Sequence, residues 1–153
     1  MERKKAKVSR TTPSMRTKRA LDSIGYLNAN TEQWIRIPNS PIGGIRRDLF
    51  GFCDRLAIGG GELIFIQCTV QDRASEHVEK LLANEPARKI CEMGVLRHGT
   101  YGNHIPYRVQ VWSWAKRGAR GEKKTWTVKI IDLTLKLAGK GDVIEFTMED
   151  FVK

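Results

Sequence analysis

A chain of 153 residues with 41% hydrophobic and 29% charged residues has the balance of an ordinary globular domain, which excludes wholesale disorder, a fibre and a second full domain. A formal net charge of +10 is large for this size and makes nucleic acid the leading partner, because excess Lys and Arg attract polyanions through phosphate contacts and counterion release. The longest apolar run, Leu63 to Ile66, is too short to cross a bilayer, and the basic N-terminus lacks the apolar segment of a secretion signal, so no membrane partner and a cytoplasmic location are expected.

The positive charge is unevenly placed. The first twenty residues carry eight Lys or Arg against one Glu, Lys116 to Lys124 forms a second basic cluster, and Asp142, Glu145, Glu149 and Asp150 run the other way. Residues 1–12 have no repeating apolar face and read as a flexible basic arm, leaving 13–153 as a single domain. From Pro13 to Ile24 the pattern fits a short helix, with Ser14 as N-cap and Gly25 as stop. Tyr26 to Ile37 reads as a strand ending at Pro38, and Asn39 to Gly44 as a loop.

Ile45 to Ile58 alternates as a strand would, which puts Asp48, Phe50, Phe52, Asp54, Leu56 and Ile58 on one face. After Gly59-Gly60-Gly61, Glu62 to Val70 forms the next strand, with Leu63, Phe65, Gln67 and Thr69 on a shared face. A two-residue turn at Gly60-Gly61 pairs Gly59 with Glu62 and, counting back along both arms, sets Asp54 opposite Gln67. Residues 74–83 and 86–93 read as helices broken at Asn84-Glu85-Pro86, with Gly94 ending the second. Arg97 to Pro106 reads as a loop; Tyr107 to Ala115 and Lys124 to Leu135 read as two further strands around a basic turn. The expected architecture is α/β: a central mixed sheet of about five strands flanked by helices.

Asp48 and Asp54 on one strand and Gln67 and Thr69 on the next gather oxygen donors on an otherwise apolar face. Hard cations such as Mg²⁺ (or Mn²⁺) take oxygen ligands and hold phosphate oxygens at the same time, so such a face in a basic protein can recruit a metal. The plainer alternative pairs Asp48 with Arg46 or Arg47 and Asp54 with Arg55 or an N–H group. Cys53, Cys68 and Cys91 lack CxxC spacing and read as reduced thiols rather than a zinc site. His77, His98 and His104 show no metal-ligand spacing and suit surface or loop roles. Trp112 and Trp114 share a strand face, where core packing is favoured over base stacking. The basic residues that would meet phosphates are Arg16, Lys18, Arg19, Arg46, Arg47, Lys116, Arg117, Arg120, Lys123 and Lys124.

The run Arg47-Asp48-Leu49-Phe50-Gly51-Phe52-Cys53-Asp54-Arg55-Leu56-Ala57-Ile58, the glycine turn, and Leu63-Ile64-Phe65-Ile66-Gln67-Cys68-Thr69 resemble the core hairpin of PD-(D/E)xK nucleases. This is the restriction-endonuclease-like superfamily, which includes Holliday junction resolvases. A looser similarity runs from the Ser14 helix through Gly25-Tyr26, Glu32-Gln33-Trp34 and Ser75 to Lys80 as far as Val109 to Trp114, and so covers most of the chain. It is closest in kind to small phage and bacterial members with Gln-x-Thr in place of the usual acid-x-Lys.

The resemblance implies a restriction-endonuclease-like fold, Mg²⁺ (or Mn²⁺) as cofactor, DNA as partner and a phage or prokaryotic host cell as the setting. Asp54 matches the metal-binding aspartate, Gln67 falls where the second acidic ligand normally sits, and Thr69 occupies the lysine position. Glu32 resembles the upstream acid of many members, and Asp48 could be an extra ligand or a strand-start residue. A neutral Gln67 weakens the hold on a metal, and Thr69 cannot stabilise charge as an ammonium does. Lys80 is the candidate replacement, against the alternative of a solvated helix-face lysine. Resolvase-like relatives often dimerise, which leaves a homodimer open. The expected function is a metal-dependent DNA endonuclease; the alternatives are a catalytically inactive DNA-binding protein on the same fold and, more distantly, a basic structural protein.

Overall fold

The computed structural model describes residues 11–100, 106–141 and 143–151, with the backbone alone for 96–100. Most of the basic arm, and the side chains of His98 and His104, lie outside the described residues. A six-stranded mixed sheet forms the centre. Its strands are β1 (Leu27–Asn30), β4 (Arg55–Gly59), β5 (Glu62–Val70), β6 (Tyr107–Arg117), β7 (Thr125–Asp132) and β8 (Val143–Thr147), in that spatial order. All neighbours are antiparallel except β5 and β6, which run parallel. A parallel pair needs a long crossover, and here helices α2 (Ala74–Ala83) and α3 (Glu85–Thr100) lie within it. Two further strands, β2 (Gln33–Arg36) and β3 (Gly44–Arg47), pair only with each other as a separate ribbon.

Helix α1 (Pro13–Ser23) covers one sheet face, where Ala20 and Leu21 pack with Ala57, Ile64, Ile66, Trp112, Trp114, Val128 and Ile130. The other face meets α2, α3 and the short α4 (Leu133–Leu137), with Phe52, Phe65, Leu81, Ile90, Val109, Val111 and Leu133 at the contact. Trp112 and Trp114 are core residues: their indole N–H groups donate to Gln110 Oε1 and Thr17 Oγ1, each at 2.9 Å. The three cysteines are free thiols, and burial pushes the Cys68 thiol up to about 12.

Several local expectations are met and several are corrected. The β4–β5 hairpin turns through Gly60 and Gly61, both at positive φ as this two-residue turn demands, and pairs Gly59 with Glu62. Gly25, at φ +77°, ends α1, but its cap is Thr12 rather than Ser14: the Thr12 hydroxyl accepts from the Met15 N–H at 3.3 Å. Asn84 caps α3 by accepting from the Ala87 N–H at 2.9 Å, yet Gly94 does not end that helix, which continues to Thr100.

The expected Tyr26–Ile37 strand splits because the Asn30 side chain accepts from the Glu32 N–H at 2.9 Å, a local turn that sends β2 out of the sheet. The expected Ile45–Ile58 strand is interrupted by a turn in which Phe50 and Gly51 both have positive φ and the Gly51 N–H donates to Asp48 O at 3.0 Å. Strand β7 stops at Asp132, whose carboxylate caps α4 by accepting from the Leu135 N–H at 2.9 Å. The acidic C-terminal segment adds β8, so the sheet has six strands rather than about five.

Asp132 is buried where β7 gives way to α4, opposite Gln110. It is 2% exposed and also accepts from Gln110 Nε2 at 2.7 Å and from Arg108 at 3.2 Å, while Arg108 reaches Glu62 at 2.9 Å. Arg108 keeps Glu62 when Asp132 is removed, but Gln110 Nε2 and the Leu135 N–H lose their acceptor, so Asp132→Ala is expected to cost about 2 kcal/mol, read as a lower urea midpoint at unchanged slope.

Candidate active site

Asp54 lies one residue before β4, at the end of the sheet where β5 and β6 finish. Its N–H donates to Ile66 O at 2.9 Å although Ile66 is the register partner of Arg55, so two residues face one, as in a β-bulge. The Asp54 carboxylate then reaches across β5: Oδ2 accepts from the Cys68 N–H at 2.8 Å and from Gln67 Nε2 at 2.7 Å. The sequence expectation that Asp54 and Gln67 are neighbours is met, with one qualification of role. Gln67 presents its amide nitrogen to Asp54, so in this arrangement it positions the carboxylate, and ligation through its oxygen requires the amide to turn.

Asp48 comes within hydrogen-bonding reach of the Asp54 carboxyl, and Glu32 is close enough for its charge to act on it. Neither approach follows from strand alternation. Six residues along one strand would separate the two aspartates by about 20 Å. The turn at Phe50-Gly51, closed by the Leu49–Cys53 bridge, brings them together instead. Burial pushes the Asp54 carboxyl up from 3.8 to about 7; the Cys68 N–H pulls it down, and Asp48 and Glu32 push it further up. Glu32 meets Arg46 Nη1 at 3.3 Å.

The other expected site residues divide. Lys80 lies on the outer side of α2, its ammonium 3.0 Å from Glu76, while Ala74, Val78 and Leu81 face the core. Thr69 is buried on the same strand face as Gln67. Arg16 is corrected as a surface cation: it is 8% exposed and stacks over the Trp126 ring, 3.3 Å from its centre. Lys18 is exposed and pairs with Asp22, and Arg19, Arg46 and Arg47 are exposed. Lys116, Arg117, Arg120, Lys123 and Lys124 all stand exposed on the β6–β7 hairpin, and Arg117 donates through Nε to Gln71 Oε1 at 3.0 Å.

His77 is the residue that sequence reasoning passed over. It sits half-buried on α2 beside Val78, and the charge of Asp48 reaches it; burial lowers its pKa, helped by Lys80 and Arg73, while Glu76 and Asp48 oppose the shift. Its proximity to the acids is set by how α2 folds back after β5, which no spacing in the sequence announces.

Among the described residues, no three His, Cys, Asp or Glu side chains close around a point that could hold a metal ion unaided. The arrangement nevertheless suits a hard cation of the Mg²⁺ type, which keeps several waters and commonly binds through one or two carboxylates plus substrate phosphates. Asp54 Oδ1 and the Asp48 carboxyl supply such a pair, and a bound cation would relieve the repulsion that raises Asp54. Two open concavities, one lined by Phe50, Pro86, Ile90 and Met93 and the other by Leu82, Val95 and Leu137, lie along α3 and not at this site.

Comparison with protein-family models, curated proteins and solved structures gives no significant match.

An acid raised in the folded state binds its proton more tightly there than in the unfolded chain. Its contribution to stability is therefore complete below about pH 4 and is lost as the pH rises towards 7. Asp54→Asn is neutral throughout this range. The stability of the unmodified protein relative to Asp54→Asn is expected to fall between pH 4 and 7, measured by urea unfolding at a series of pH values.

Proposed function

We propose that the protein is a metal-dependent DNA endonuclease that hydrolyses phosphodiester bonds at Asp54. One observation carries the reading: two carboxyls, Asp54 and Asp48, are held together with Glu32 nearby, in a chain of net charge +10. A protein that only neutralised phosphates would gain nothing from gathering half-buried, mutually repelling acids where its partner must approach. Bound Mg²⁺ or Mn²⁺ would polarise the phosphate and activate a water. Asp54 and Asp48 are the residues to hold it.

Within this reading the chain's own groups have distinct tasks. The Cys68 N–H and Gln67 Nε2 fix Oδ2 of Asp54, so that Oδ1 alone is left to turn outward. Arg46 holds Glu32 in place beside the pair. The exposed cations of the β6–β7 hairpin draw in and orient the phosphate backbone, which positions a strand without reading its sequence. The resemblance to PD-(D/E)xK nucleases supports this division of labour and the restriction-endonuclease-like form of the fold.

The second reading, a DNA-binding protein that kept the site's outline and lost its chemistry, is favoured by two observations. Gln67 donates to Asp54 where a second acidic ligand is expected, and the Lys80 ammonium is engaged with Glu76.

Labelled duplex, flap, junction and single-stranded DNA, incubated with Mg²⁺, Mn²⁺ or EDTA, separate the two. The nuclease reading expects metal-dependent cutting that falls by about a hundredfold or more in Asp54→Ala with binding intact. Cutting that survives this change would sink the assignment, and binding without cutting of any substrate would select the second reading. In either case, replacing Lys116, Arg120, Lys123 and Lys124 with Gln is expected to lower the slope of log Kd against log salt by about one per phosphate contact removed.

A further inference from the structure

The β2–β3 ribbon carries an exposed aromatic that the site itself does not use. Trp34 pairs in register with Arg46, and Arg36 pairs with Gly44, so strand alternation places Trp34, Arg36, Gly44 and Arg46 on one face of the ribbon. The four tryptophans of the chain differ sharply in setting. Trp112 and Trp114 are in the core and Trp126 lies beneath Arg16, whereas Trp34 is 59% exposed.

Its indole is nonetheless held in place. A Cβ at Gly44 would come within 2.9 Å of the Trp34 ring and 2.4 Å of Ile35 O, so only glycine lets the ring lie against the β3 backbone. One side of the indole is therefore seated on the ribbon while most of its surface faces solvent. A rigid, seated, exposed ring loses little conformational freedom when something stacks on it.

The surroundings of the ring fix the kind of partner. Arg36, Arg46 and Arg47 are all exposed on the ribbon, and it carries no acid of its own between Gln33 and Arg47. An aromatic face set among cations suits a base with its phosphates, since base–aromatic stacking is tolerant of sequence while the cations track the backbone. Position points the same way. The ribbon leaves the sheet at Thr31, whose N–H donates to Asp54 O at 3.0 Å and whose hydroxyl donates to Cys53 O at 2.7 Å, and Arg46 meets Glu32 at 3.3 Å. Whatever lies along the ribbon thus passes beside the carboxyl pair.

We propose that the β2–β3 ribbon is a DNA-binding arm on which Trp34 stacks against an unpaired base, with Arg36, on the same face, holding an adjoining phosphate. This rests on DNA being the partner of the Asp54 site, and it adds the class of substrate: DNA with exposed, unstacked bases next to the position of cutting, in preference to uninterrupted duplex. A stacked base inside intact duplex offers Trp34 no free face.

The test is binding in EDTA, which removes any dependence on cleavage. The probes are a labelled duplex interrupted by a run of unpaired thymidines and a fully paired duplex of equal length, at one fixed salt concentration. Trp34→Ala is expected to weaken binding of the interrupted probe by about tenfold and of the paired probe by less than about twofold. Trp34→Phe should retain most of the affinity, and Arg36→Gln should lower the salt dependence for both probes. Circular dichroism and thermal melting of each variant check that the sheet remains folded.

Equal losses on the two probes, no loss on either, or no binding of either probe by the unmodified protein overturns the proposal. Its fate is separate from that of the nuclease. Trp34-dependent binding without any cutting keeps the arm and removes the enzyme, and metal-dependent cutting unaffected by Trp34→Ala does the reverse.

Discussion

The irregularity at Asp54-Arg55 sets the geometry of this end of the molecule. Both residues meet Ile66, and their consecutive side chains go to opposite faces of the sheet, as in any strand. Asp54 extends over Gln67 and Cys68 towards Asp48. Arg55, only 5% exposed, goes to the other side, where it donates to Asn28 Oδ1 at 2.8 Å and to Ser14 Oγ at 3.4 Å and so joins β1 to the start of α1. The Asp54 carbonyl meanwhile holds Thr31, from which the β2–β3 ribbon departs. Two adjacent residues, Asp54 and Arg55, thereby tie the acidic site, a helix terminus and the ribbon together.

That arrangement costs electrostatic free energy, and the cost is informative. Burial and two neighbouring acids raise Asp54, against which it has the hydrogen bonds from the Cys68 N–H and Gln67 Nε2 and no cation among the described residues. Buried carboxyls elsewhere in the chain are treated differently: Asp132 is met by Arg108, Gln110 and the Leu135 N–H. The same fold therefore satisfies one buried acid thoroughly and leaves another in tension. Strain of this kind is characteristic of sites whose compensation arrives with a ligand, and it is the physical content of reading Asp54 as functional rather than structural.

Much of the scaffold was legible in the sequence because local chemistry determined it. The paired glycines fixed the β4–β5 register, Gly25 ended α1 and Asn84 began α3, each by a requirement of φ or of capping that needs no knowledge of the rest of the chain. The breaks in apparent strands were not legible. Ile45 to Ile58 keeps its alternation straight through the Phe50-Gly51 turn, and a non-glycine at positive φ gives no sign of itself in the pattern. The edge strand β8 is five residues long, with Glu145 interrupting its apolar residues and most of its surface exposed, so it lacks the run that marks a buried strand. The site was half visible for the same reason. Asp54 and Gln67 follow from hairpin register, whereas the approach of Asp48, Glu32 and His77 depends on a turn, a ribbon and a crossover helix. Arg16 shows the opposite failure: a helical basic residue read as a phosphate contact is in fact spread over Trp126, because a guanidinium can stack where an ammonium would need water.

The placement of charge explains how an acidic site survives in so basic a protein. Gln67, beside Asp54, pairs with Val111, and Lys116 lies five residues farther along β6, about 17 Å away at strand spacing. Screening at physiological salt acts over about 8 Å. The hairpin cations are therefore too distant to neutralise Asp54 and Asp48, which is consistent with a carboxyl that remains raised, yet they stand at the same end of the sheet as those acids. A phosphate backbone is different from a point charge in this respect. On the nuclease reading proposed above, it would span both regions at once, held by cations at the hairpin and on the β2–β3 ribbon with one phosphate near the carboxyl pair. Cations crowded directly around the acids would settle Asp54 into a simple salt bridge. Kept apart by the length of a strand, they can attract the same polyanion whose approach the bare acids oppose, and that opposition is what a divalent cation would remove.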